Sequence, residues 1–109
     1  MYTGTILFDL LLPPHTGSLK EKRSAVRPIV AELRRRYEVS AAEVGAQNLH
    51  RRTEIGIAVV SGDATHLREV LDACERLVAG RPEVELLSAR RQWWSSDDST
   101  EVWGRTDDG

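Results

Sequence analysis

The chain has 109 residues, enough to bury one hydrophobic core and not two. At 40% hydrophobic and 29% charged it fits neither a disordered chain nor a membrane protein, since apolar runs such as Ile6 to Leu12 fall far short of the roughly 20 residues that cross a bilayer. The formal charge of −2 is unevenly spread: from Ser95 to Gly109 five acids face one base, while the rest of the chain carries 14 bases and 12 acids.

Met1-Tyr2-Thr3-Gly4 lacks the basic start of a secretory leader, so a cytoplasmic location is the expectation. Tyr2 to Leu12 reads as the first strand, because Ile6, Phe8, Leu10 and Leu12 alternate with Thr5, Leu7, Asp9 and Leu11. Pro13-Pro14 ends it, since proline donates nothing to a ladder. Ser18 is placed to cap the following helix, with Glu21 three residues on completing a capping box.

That helix presents Leu19, Val26, Ile29, Val30, Leu33 and Tyr37 within one arc. Pro28 removes one hydrogen bond and is expected to kink or loosen the helix without ending it, since the apolar spacing continues beyond it. Val39 to Val44 is a weak second strand and Gly45 to Leu49 a turn or wider excursion. Thr53 to Val60 is a strong third strand, closed by Ser61-Gly62-Asp63, where Asp63 caps a second helix from Ala64 to about Ala79. Gly80-Arg81-Pro82 stops that helix, and Val84 to Trp94 supplies the fourth strand. The domain is therefore expected to span 1–94, with 95–109 an acidic disordered tail too poor in apolar residues to order itself.

The order βαββαβ predicts an α+β, ferredoxin-like sandwich: a four-stranded antiparallel sheet with two helices on one face. The other face should then be polar, yet Leu7 and Leu11 lie there and the third strand is apolar on both sides, with Ile55, Ile57 and Val59 on one and Ala58 and Val60 on the other. A homodimer joined through this open face is the expected cover; a monomer with scattered apolar residues is the alternative.

Cys74 lies on the apolar stripe of the second helix and reads as a buried, inert thiol. His15, His50 and His66 share no metal-ligand spacing and read as surface residues, so neither metal nor cofactor is expected. Trp93 and Trp94 are neighbours on a strand and must point to opposite faces, so that one can close the core while the other lies on the open face or at an interface. RNA-recognition domains share this strand order but need exposed aromatics on the third strand, and Glu54 to Val60 has none. An acylphosphatase-like enzyme would need an arginine in the loop Pro13 to Ser18, and that loop has none. With no convergent titratable groups to nominate, no enzyme is expected.

The most suggestive pattern is on the first helix. Lys20, Arg23, Arg27 and Arg34 project within an arc of about 60° beside the apolar face, while Glu21 and Glu32 point elsewhere. Such a stripe suits a phosphate backbone, and Arg51, Arg52, Arg90 or Arg91 would extend it if the fold brings them near. The loop His15-Thr16-Gly17-Ser18 offers backbone amides at a helix start, where an anion can bind, so Gly17 and Ser18 join the candidate set. The alternatives are a solvated helix whose cationic stems cover the core edge, and a plain capping loop.

Ser18-Leu19-Lys20-Glu21-Lys22-Arg23-Ser24, the helix end Leu33-Arg34-Arg35-Arg36-Tyr37, the segment Val39-Ser40-Ala41-Ala42-Glu43-Val44, and Arg81-Pro82-Glu83-Val84-Glu85-Leu86-Leu87 together resemble the YlxP-like family, a domain of unknown function. The likeness covers about Tyr2 to Trp93; Pro28 and the acidic tail depart from the commoner pattern. The resemblance implies a ferredoxin-like fold. Because the genes of such proteins commonly lie beside those for translation initiation factor two and ribosome-binding factor A, it also implies a role near ribosome maturation or translation, without assigning catalytic residues. The expected function is a non-enzymatic accessory protein that binds RNA or a ribosomal subunit through the basic helix; the alternative is a dimeric regulatory module that binds a protein or small metabolite.

Overall fold

Alternation in the first strand decides how the layers stack. The computed structural model describes residues 1–97, and β1 (Tyr2–Leu11) sends Ile6, Phe8 and Leu10 to one side, all at most 1% exposed. Above that side lie α1 (Leu19–Tyr37) and α2 (Ala64–Ala79), whose Val26, Ile29, Leu33, Leu67, Leu71, Cys74 and Val78 complete the core. β2 (Ser40–Gly45), β3 (Arg52–Ser61) and β4 (Glu85–Ser95) fill out an antiparallel sheet in the order β2-β3-β1-β4. This is the ferredoxin-like α+β arrangement read from the sequence, with element ends within one or two residues of those expected.

Each large apolar side chain buried here contributes about 1.5–3 kcal/mol, and the two helices supply the lid that makes this burial possible. Gly4 serves that packing: a Cβ there would stand 2.9 Å from Leu71 Cδ1, so glycine lets α2 lie close over β1. Cys74 is fully buried, and burial pushes its thiol pKa up to about 11.

As expected, Pro28 does not end α1, which continues from Leu19 to Tyr37. It lies on the exposed side of the helix, away from the packed stripe. Glu38, not a glycine, ends α1 in the left-handed region with φ 52°. Gly80 after α2 keeps a right-handed conformation, φ −87°, and returns its N–H to the Arg76 carbonyl.

Neither tryptophan closes the core. Trp93 faces the helix layer but reaches the end of the sheet, 57% exposed and tilted against Tyr2 with ring centroids 6.2 Å apart; Trp94 lies on the open face. β4 extends through Ser95, which is buried, and Ser96 N–H donates to the Met1 carbonyl. The remainder of the acidic tail, 98–109, lies outside the described residues.

Candidate polyanion-binding flank on the first helix

The start of α1 is fixed by its own side chains. Ser18 Oγ accepts from Glu21 N–H at 3.1 Å, and the Glu21 carboxylate accepts from Gly17 N–H at 2.6 Å. The capping box therefore closes one residue earlier than its usual form, on the amide before the cap. The result is a carboxylate already seated where a bound anion was expected, so Gly17 and Ser18 act here as capping groups.

Along the helix the cationic residues divide into three environments. Lys20, Arg23 and Arg27 are exposed, and none has an ion-pair partner among the described residues. Arg34, on the same flank, turns back: its Nε donates to the Ala41 carbonyl at 2.9 Å. Since β2 is an edge strand, this bond holds the helix to the sheet border and covers a carbonyl that would otherwise be open to another chain. The stripe thus runs beside the β2 edge, with Lys20, Arg23 and Arg27 outward and Arg34 anchored.

The third environment belongs to Lys22, which is 1% exposed. Its Nζ donates to the carbonyls of Ala46, Gln47 and Arg52 at 2.9, 3.0 and 3.3 Å and stands 3.0 Å from Glu43 Oε2. Glu43 also accepts from Thr53 Oγ1 at 2.7 Å. A buried ammonium is tolerable only when its donors and its charge are matched, and this one has three carbonyls and a carboxylate. The network ties the 46–51 loop to α1, including Ala46, which sits at φ 56° in the left-handed region that disfavours an alanine.

Lys22 escaped the sequence reading, yet the signal was there. It stands four, seven and eleven residues before Val26, Ile29 and Leu33, in line with the buried stripe.

The other arginines considered as extensions of the stripe have separate fates. Arg52 grips Asp9 on the open sheet face, Nη2 to Oδ2 at 2.6 Å, and this hydrogen bond followed by the Asp9 charge raises its pKa. Burial opposes the charge of Arg91, but hydrogen bonds to Asp72 and Glu75 of α2 outweigh it and leave its pKa raised. Arg91 therefore belongs to the α2 side. Arg90 lies on the open face of β4, at the opposite sheet edge from β2. Arg51 stays in the loop held by Lys22, donating through Nε to the Leu12 carbonyl at 3.2 Å.

On the inner flank of α1, Glu32 pairs with Arg36 at 3.2 Å and with Arg81 at 2.6 Å, confirming that its charge points away from the stripe. The three histidines are exposed, and the described residues contain no group of three or more His, Cys, Asp or Glu placed to hold a metal. No helix among the described residues is long and apolar enough to cross a membrane.

A ferredoxin-like domain with one basic helical flank and a bare sheet face is thus the class of protein in hand. Residues 3–91 match the family described as "Protein of unknown function (DUF503)", and the chain belongs to that family. It is 33% identical over 78 residues to the uncharacterised protein YlxP of Bacillus subtilis (strain 168), covering 72% of this chain and 85% of YlxP. Among solved structures it is similar to the de novo designed protein Foldit4, with a TM-score of 0.51, 8% identity, and coverage of 88% of this chain and 99% of that one. It is also similar to a mutant of SnoaB, a cofactor-independent oxygenase from Streptomyces nogalater, with a TM-score of 0.49, 10% identity, and coverage of 92% and 98%. The designed protein shares the fold and nothing further.

Proposed function

We propose that this protein is a non-enzymatic accessory factor that binds structured RNA, or an assembly intermediate of the ribosome, along the outer flank of α1. One observation carries the reading: Arg36, Arg52, Arg81 and Arg91 are paired with the protein's own carboxylates, whereas Lys20, Arg23 and Arg27 are exposed and unpaired among the described residues. Three adjacent cations with no internal counter-charge draw a phosphate backbone and release its counterions on contact. Arg34 adds its charge to the same flank while its Nε remains on Ala41. Binding of this kind is electrostatic, weakly selective for sequence and steeply dependent on salt.

The test is co-sedimentation with ribosomal subunits, together with binding of a structured RNA measured over a range of salt concentrations. Replacing Lys20, Arg23 and Arg27 with glutamate should abolish co-sedimentation at low salt while leaving the circular dichroism spectrum unchanged. Alanine at the same three positions should flatten the slope of log affinity against log salt by up to about 3. A glutamate variant that sediments like the wild type would reduce the flank to a solvated surface.

A further inference from the structure

The open sheet face has a pattern that the basic flank does not use. It carries Val44, Val60 and Trp94 at 55%, 66% and 42% exposed, and at its middle a shallow trough of about 760 Å³. The pairing registers show why the trough exists. One row across the sheet reads Ala42, Gly56, Leu7, Arg90, and the next reads Ser40, Ala58, Thr5, Gln92. In both rows the small residues fall on β2 and β3 and the larger ones on β1 and β4, so at the middle of the face a hollow lies beside a ridge.

We infer that this face binds a second copy of the same chain, related by a two-fold axis that runs along the strands between β3 and β1. Such an axis reverses each row without changing its height. Leu7 then lies over Gly56 of the second copy, Thr5 over its Ala58, Gln92 over its Ser40 and Arg90 over its Ala42. Ridge enters hollow twice, as a self-complementary two-fold contact requires. Gly56 has room for this because it carries no side chain, and Val44, whose Cγ1 would stand 3.3 Å from a Cβ at Gly56, walls the hollow on the β2 side.

Charge supports the same arrangement. Arg90 and Glu54 make no ion pair among the described residues. The axis brings Arg90 within one strand and one row of the second copy's Glu54, inside the reach of an arginine. Asp9, which the operation carries toward Glu54, is already held by both nitrogens of the Arg52 fork that face it. The area is also adequate. Four strands at about 4.8 Å spacing and ten residues at about 3.3 Å rise span about 600 Å² before side-chain relief is added. A standard stable interface takes about 800 Å² from each partner.

The experiment uses the full chain. Light scattering coupled to size exclusion should give twice the 12.2 kDa of one chain for the wild type, and Ala58→Arg, which places a charge in the hollow, should return it to one with an unchanged circular dichroism spectrum. A second measurement tests the axis. Arg90 and Ala42 stand about 14 Å apart within one sheet, three strand spacings, but face each other across sheets packed about 10 Å apart in the inferred dimer. A bismaleimide spanning about 8 Å should therefore join Arg90→Cys/Ala42→Cys chains into covalent dimers and leave either single variant uncrosslinked. A monomeric wild type, an Ala58→Arg variant that stays dimeric, or efficient crosslinking of Arg90→Cys alone, which would set β4 over β4, each overturns the proposal.

Discussion

Lys20 and Lys22 are two residues apart on one helix and have opposite environments. Lys20 extends into solvent with no partner among the described residues; Lys22 is enclosed, with three carbonyls and the Glu43 carboxylate around its ammonium. A rotation of about 200° along α1 separates a group that organises the domain from one available to an outside partner. The contrast teaches that a run of cations in a sequence is not one feature. In Ser18 to Ser24, one lysine builds the fold and Lys20 and Arg23 are left on the surface.

Removing Lys22 is the strongest way to break this comparison. Lys22→Met should cost about 3–5 kcal/mol by chemical denaturation, because the Glu43 charge and the loop carbonyls lose their shared partner inside the protein. Against a typical stability of about 5–15 kcal/mol for a domain, that loss would leave the variant marginal. A cost below about 1 kcal/mol would show that the 46–51 loop holds itself without the lysine.

Arg34 should fall between the extremes. Arg34→Ala removes one hydrogen bond from the β2 edge and is expected to cost about 1 kcal/mol, whereas Arg34→Lys keeps the flank's charge but loses the Nε geometry. Equal RNA affinity for Arg34→Lys and wild type, beside a lowered stability, would separate its anchoring role from its electrostatic one. The smallest expected effect is on stability when Lys20, Arg23 and Arg27 are each changed to alanine: each should stay within about 0.5 kcal/mol in thermal or urea unfolding. A larger loss at any of them would mean that the residue belongs with Lys22.

Much of the architecture was legible in the sequence because the relevant signals are local. The two-residue period of Ile6, Phe8 and Leu10, the caps at Ser18 and Asp63, and the helical spacing of Leu67, Leu71, Cys74 and Val78 each depend only on near neighbours in the chain. The candidate site was legible in part. The common flank of Lys20, Arg23, Arg27 and Arg34 follows from helical periodicity, but the attachment of Arg34 to Ala41 needed β2 to return alongside α1, and the Glu21 carboxylate on Gly17 needed the loop's own path. The tryptophans show a similar limit: alternation puts Trp93 and Trp94 on opposite faces, but not which of them lies on the helix side, nor that the helix layer stops short of covering it.

By itself the sequence determined the element order, the inward face of β1 and of both helices, the burial of Cys74 and the outward direction of three cations, because each is a matter of periodicity or of one residue's preference for water. Tertiary structure alone decided which charges are spent and which remain. It set Lys22 against carbonyls 24 to 30 residues away, joined Arg52 to Asp9 across 43 residues, and aligned Gly56 with Leu7 to make a hollow beside a ridge. Those outcomes rest on distances between segments far apart in the chain, and such distances exist only once the sheet has closed.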